Sequence, residues 1–267
     1  MIIQALTLLL TIFSLSGHQA PADRVPAQPS QPTQLIDLTL TIDDQDYAWT
    51  IMIPQSAEKG GAGILFLHGY GECGQDGKKQ LTVGLPPAVI KNPERWPFVV
   101  IAPQKPVFNS EWEDHKPAVM AMIEQAVNDG YIDNDRLAIT GLSQGGHGTI
   151  QLASESPELF RAAAPVCGYV DRRIVADEFR MPTELATPRD EAVVRAAKRI
   201  GGLPLWIFHG EDDRVIPYAE SESLHEARKA QDLKSKLTGF PDTDHNSWDQ
   251  AYAMPELAEW LIEHTKK

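Results

Sequence analysis

Residues 141–145 read Gly141-Leu142-Ser143-Gln144-Gly145. They follow the apolar run Leu137 to Thr140 and open a segment, Ser143 to Ser154, with helical spacing. A serine in a tight strand-to-helix turn needs glycine two residues to either side, because a Cβ there would crowd the turn. The serine is then held in a strained backbone geometry that projects its hydroxyl outward. The helix N-terminus behind it favours developing negative charge.

Outward from this elbow, strand-like and helix-like segments alternate, as in βαβ units around a mainly parallel sheet. Gly63 to Leu67, Phe98 to Ala102, Ala162 to Val166 and Pro204 to Phe208 are short apolar runs of the kind buried parallel strands show. Helical patterns cover Pro86 to Lys91, Lys116 to Asn128, Asp190 to Lys198, Tyr218 to Gln231 and Pro255 to His264. Leu35 to Ile42 and Tyr47 to Ile53 alternate apolar and polar residues around Asp43 and Asp44, which predicts an antiparallel hairpin. The segment Asp171 to Pro188 is charged and without period, a candidate lid or insertion. The expected class is α/β, with helices on both faces of the sheet.

A serine hydroxyl becomes nucleophilic when a base takes its proton, and the base needs a carboxylate to hold its tautomer. The run Pro204 to Phe208 is followed by His209-Gly210-Glu211-Asp212-Asp213-Arg214-Val215-Ile216-Pro217, three acids at the end of a strand. Phe240-Pro241-Asp242-Thr243-Asp244-His245-Asn246-Ser247-Trp248 places a histidine in a polar loop before the last helix. The order serine, acid, histidine is that of α/β-hydrolases. Gly63 to Leu67 leads into His68-Gly69-Tyr70-Gly71-Glu72-Cys73-Gly74, whose backbone can turn N–H groups toward one point. The amides of Tyr70 and Gln144 are the expected oxyanion donors.

Taken with these loops, Leu65-Phe66-Leu67-His68-Gly69-Tyr70-Gly71-Glu72, Lys79-Gln80-Leu81-Thr82, Ala102-Pro103-Gln104, Gly141 to Gly146 and His245-Asn246-Ser247-Trp248 resemble the α/β-hydrolase esterases known as predicted peptidases. These are relatives of feruloyl esterases, polyhydroxyalkanoate depolymerase-like lipoproteins and dienelactone hydrolases. The resemblance runs from about Leu35 to the C-terminus and implies a triad of Ser143, Asp213 and His245. It prefers Asp213 over Asp212 and Glu211, because the family places its acid four residues after the histidine of the His-Gly pair and shortly before Val-x-Pro. Where relatives often carry Glu-Arg-Gly, this chain has Glu72-Cys73-Gly74, so no role of that arginine carries over.

Of the other histidines, His68 and His209 precede glycine at strand ends and are expected to be structural hydrogen-bonding residues, and His147 is expected behind the elbow. No metal-binding pattern occurs, and no metal or other cofactor is expected. Trp112 and Trp248 are candidates either for walling a substrate pocket or for the core. Cys73 and Cys167 should sit at strand ends near Ser143. If the nucleophile strand lies between theirs, their backbones are about 10 Å apart, beyond the roughly 7 Å a disulfide spans, so two free thiols are expected.

The formal net charge of −13 repels phosphate backbones and anionic lipids, which excludes nucleic-acid and membrane-surface partners from the expectation. The apolar stretch Ile2 to Leu15 falls short of the roughly 20 residues of a spanning helix. It reads as the core of a signal peptide over residues 1–22, cleaved after Ala22 or in the Ser14 to Gly17 region, followed by a Pro-rich linker over 23–34 and a hydrolase domain over 35–267. Location is then secreted or periplasmic. The expected activity is a serine esterase acting on short-chain or aryl esters, feruloyl or acetyl in type, of a small molecule or a polysaccharide. The rivals are a serine peptidase for short peptides and a catalytically silent binding protein of the same fold; the oligomeric state stays open.

Overall fold

A computed structural model of the protein describes residues 33–174, 184–185 and 189–267. The expected signal peptide, the linker up to residue 32 and most of the Asp171 to Pro188 insertion lie outside the described residues. Eight strands form one sheet in the order β1-β2-β4-β3-β5-β6-β7-β8. They are β1 Gln34–Ile42, β2 Gln45–Ile53, β3 Gly61–Leu67, β4 Val99–Pro103, β5 Ile132–Leu142, β6 Ala162–Val166, β7 Trp206–Gly210 and β8 Lys236–Phe240. Strand β2 runs antiparallel to β1 and β4, and every other pairing is parallel. This is the α/β-hydrolase arrangement expected from the sequence. A separate two-stranded ribbon pairs Arg173–Ile174 with Glu184–Leu185.

The hairpin closes at Asp43 and Asp44, both with positive φ (48° and 62°), the backbone that a two-residue turn between twisted strands requires. Alternate residues of the central strands feed opposite cores: Leu65 and Leu67 pack under α2 (Lys116–Asn128), α3 (Gln144–Glu155), α4 (Arg189–Ile200) and α5 (Ala219–Lys229), whereas Ile64 and Phe66 pack under α1 (Leu85–Lys91), α6 (Trp248–Ala253) and α7 (Pro255–His264). Such two-sided burial is why these strands read as continuous apolar runs. Strand β8, at the sheet edge and mostly half-exposed, has the sequence Lys-Leu-Thr-Gly-Phe and no apolar run, and neither it nor the short α6 is foreseen by periodicity.

Parallel order places the carboxyl ends of β3 to β8 on one rim, and every sequence-derived site residue follows one of those ends or the helix start beside it.

Candidate active site

At the end of β5, Ser143 has φ 54° and ψ −118°, a region closed to most residues with a side chain. Its neighbours explain the glycines. A Cβ on Gly141 would lie 2.4 Å from the Gly145 carbonyl oxygen, and one on Gly145 only 2.0 Å from that of Leu67. Only hydrogen fits at either position, so strand β3, the elbow and α3 come into backbone contact and the hydroxyl is thrust over the sheet rim.

The Ser143 hydroxyl donates to His245 Nε2 at 2.9 Å, and His245 Nδ1–H donates to Asp213 Oδ2 at 2.7 Å. Of the three consecutive acids, Glu211 and Asp212 are exposed, whereas the Asp213 carboxylate has 0% exposure. Its Oδ1 accepts the amides of Val215 and Ile216, each at 2.8 Å. Its Oδ2 also lies 3.2 Å from His209 Nε2, whose N–H reaches the Ile216 carbonyl at 2.8 Å while Ser221 donates to Nδ1 at 2.6 Å. Burial alone would raise the pKa of Asp213, but the His209 and His245 donors and the Ile216 amide outweigh it and hold the group ionised well below the usual carboxylate range. A hydroxyl, an imidazole with a fixed tautomer and a buried carboxylate in this chain can move a proton from Oγ to Nε2 and stabilise the imidazolium that results.

On the other side of Ser143, Gly69 approaches so closely that its Cβ would stand 3.4 Å from Ser143 Cβ, which sets the Tyr70–Glu72 helical turn beside the nucleophile. Gln144 begins α3 directly after Ser143, and Tyr70 opens the turn that Gly69 brings beside that serine. Gln104 braces this loop: its Nε2–H groups reach Glu72 O and Asp76 Oδ1, each at 3.0 Å, and its Oε1 accepts the Gly77 amide at 2.7 Å. His68 is fully buried and hydrogen-bonded as a structural residue, as expected.

The two tryptophans part company. Trp248 is half-buried and stands edge-on to the His245 ring, centroids 5.5 Å apart, so it borders the site. Trp112 does not wall a pocket: it is 1% exposed, its indole N–H donates to His68 O at 3.1 Å, and its ring lies against α3 at Gly148. A capping box between Glu111 and Asp114 starts the turn that carries Trp112, the Glu111 amide donating to Asp114 Oδ2 at 3.0 Å.

Cys73 and Cys167 are buried free thiols on loops after β3 and β6, separated by β5. Cys167 (φ 41°) sits under the acid–histidine pair, its sulfur within 4.8 Å of their polar atoms, and burial pushes its thiol up to about 12. It is a neutral packing group there. Glu111, Glu113 and His147 form a second cluster behind the elbow, with His147 Nδ1–H on Tyr169 O at 3.0 Å and Nε2–H on Glu113 Oε1 at 3.3 Å. Burial works against protonation of His147, but the Glu113 carboxylate prevails and raises its pKa.

The prolyl oligopeptidase family matches residues 113–267, more than half of the chain and the span that holds Ser143, Asp213 and His245. The uncharacterized peptidase YuxL of Bacillus subtilis (strain 168) is 28% identical over 147 residues, 50% of this chain. This chain spans between 17% and 22% of the length of the curated relatives it matches. A thermostable esterase of known structure superposes with a TM-score of 0.70 at 28% identity, covering 86% of this chain and 62% of that one. A ferulic acid esterase has the same fold, with a TM-score of 0.65 at 14% identity over 88% of this chain and 98% of that one.

Proposed function

Because the chain belongs to the prolyl oligopeptidase family, within the α/β-hydrolases, we propose that it is a serine hydrolase that cleaves carboxylic esters through an acyl-enzyme, with Ser143 as nucleophile, His245 as base and Asp213 as the acid that orients it. The observation that carries this reading is the unbroken hydrogen-bond chain from Ser143 through His245 to the buried Asp213 carboxylate. Ser143 Oγ attacks the ester carbonyl carbon as its proton passes to His245 Nε2. The carbonyl oxygen becomes an oxyanion against the amides of Tyr70 and Gln144. His245 returns the proton to the departing alkoxide, leaving the acyl group on Ser143. A water then repeats the attack, giving its proton to Nε2, and releases the acid and the serine.

Esters are favoured over peptides. An amine leaves only when protonated and its carbonyl is less electrophilic, so peptide cleavage depends on extensive substrate positioning. The likeness to a thermostable esterase at 28% identity supports this side, and the acidic surface suits neutral substrates. Short-chain and aryl esters, including feruloyl and acetyl groups on plant polysaccharide, are the proposed substrates. The peptidase reading is favoured by the names of the curated relatives, an uncharacterized peptidase and probable dipeptidyl-aminopeptidases. Export is part of the proposal and rests on the apolar stretch Ile2 to Leu15 with Ala20-Pro21-Ala22 behind it.

A fluorophosphonate probe should label the purified protein at Ser143. The kcat/KM values for p-nitrophenyl acetate and butyrate and for methyl ferulate should exceed those for a panel of peptide anilides. Failure of a folded sample to label would sink the hydrolase reading, and an anilide turned over faster than every ester would replace the esterase by a peptidase.

A further inference from the structure

Sheet order divides the rim around Ser143 into two sides. The loops after β6, β7 and β8 bring Cys167, Asp213 and His245 to one side of β5, and the loops after β3 and β4 lie on the other. On that other side the chain turns Val107 and Phe108 outward, 40% and 42% exposed. The Phe108 ring stands 5.2 Å from the ring of Tyr70, tilted by 53°. Two apolar side chains and a tyrosine thus meet solvent next to the oxyanion loop.

The turn that presents them is held from beneath by an unusual device. Lys105 is fully buried and donates its ammonium to the carbonyls of Val107, at 2.6 Å, and Ser110, at 2.7 Å. A buried ammonium is costly unless its donors are taken up, and here they are taken up by the two ends of this turn. The same residue locks to the oxyanion loop through its backbone, its N–H on His68 Nε2 at 2.8 Å and its carbonyl on the Gly74 amide at 2.9 Å. Ser110 O also accepts the Gln144 side-chain amide at 3.0 Å, which ties the turn to the residue after the nucleophile. Val107 and Phe108 are therefore fixed relative to Ser143 from two directions, although they themselves are exposed.

Stereochemistry says which part of an ester would meet them. In the tetrahedral adduct on Ser143 the oxyanion takes the amide donors, and the leaving oxygen must face His245 Nε2 to receive its proton. The alcohol then lies on the side of His245 and Trp248, and the acyl substituent is left for the side of the β3 and β4 loops. We propose that Phe108 and Tyr70, flanked by Val107, form a preorganised shelf for a planar aryl group in the acyl part of the substrate, while Trp248 borders the alcohol. The proposal rests on the esterase reading and adds to it which part of the ester is recognised, and by which residues.

Two substrate series separate the halves of the ester. Methyl cinnamate and methyl butyrate share an alcohol, and methyl acetate and benzyl acetate share an acyl group. Phe108→Ala should lower kcat/KM for methyl cinnamate about tenfold, the scale of one aromatic contact, chiefly through KM. It should leave methyl butyrate within about twofold, the benzyl-to-methyl acetate ratio unchanged and fluorophosphonate labelling intact. Phe108→Trp should retain methyl cinnamate turnover. An equal loss on both methyl esters, no loss on either, or a loss that follows the alcohol would overturn the shelf while leaving the esterase standing. Wild-type protein that neither labels nor cleaves any ester would bring down both.

Discussion

His68 should make the protein lose stability in mild acid. Its buried ring donates Nδ1–H to the Gly69 carbonyl at 2.6 Å and accepts the Lys105 amide on Nε2 at 2.8 Å, so no lone pair is left for a second proton. Burial pushes its pKa down to about 3. In the unfolded chain a histidine protonates near pH 6.5, so between that pH and about 3 the unfolded state binds one proton more. The contribution of His68 is therefore whole above about pH 6.5, falls by about 1.4 kcal/mol per unit of pH below it, and levels off below about pH 3. From pH 7 to 4.5 the loss comes to about 2.5 kcal/mol. His115, lowered to about 4 by burial, titrates in the same window, so a single pH curve would mix the two. The variant His68→Gln separates them, because glutamine keeps an acceptor and a donor but binds no proton. Urea unfolding of both proteins at pH 7 and 4.5 should show the variant less stable at pH 7, with its deficit shrinking by about 2.5 kcal/mol at pH 4.5. A deficit of the same size at both pH values would mean that His68 accepts a proton in the fold, and the hydrogen-bond assignment would be wrong.

Ser143→Ala and His245→Ala should each lower kcat for an aryl ester by about 10⁶ with the far-ultraviolet circular dichroism unchanged. Asp213→Asn should cost about 10⁴ in kcat, whereas the exposed Asp212→Asn should stay near wild type; the reverse ranking would move the acid. Gly145→Ala drives a Cβ into the Leu67 carbonyl, so a loss of about 4 kcal/mol or more and a drop in Tm of about 10 °C or more are expected by scanning calorimetry. A thiol reagent such as Ellman's should find no reactive cysteine in the native protein and two after denaturation without reductant, since Cys73 and Cys167 are buried and unpaired.

Local sterics and periodicity carried a large share of this protein into its sequence. The glycines around Ser143 announce the elbow because their missing Cβ atoms are demanded by backbone within a few ångströms, and the helices Lys116–Asn128 and Pro255–His264 have the bounds their apolar spacing predicts. The order serine, acid, histidine is likewise a property of the chain. Family resemblance, and not the local pattern of Glu211-Asp212-Asp213, singled out Asp213; the structure distinguishes it by burial and by the donors of Val215, Ile216, His209 and His245. Strand β8 carries no periodic signal because an edge strand buries too little to need an apolar run. The direction in which Trp112, Trp248 and Phe108 point could not be read along the chain at all. Trp112 and Phe108 take their orientation from partners distant in sequence, the His68 carbonyl and the Tyr70 ring, and Trp248, at the start of the short helix α6, stands against the His245 ring that the packed site holds in place. Sequence alone thus determined the fold class, the serine elbow and the order of the site, because those leave periodic apolar runs, obligatory glycines and a fixed order along the chain. Tertiary structure decided which acid is buried, which aromatic rings face the site and that the two thiols stay apart, because those depend on groups that only the packed sheet brings within reach.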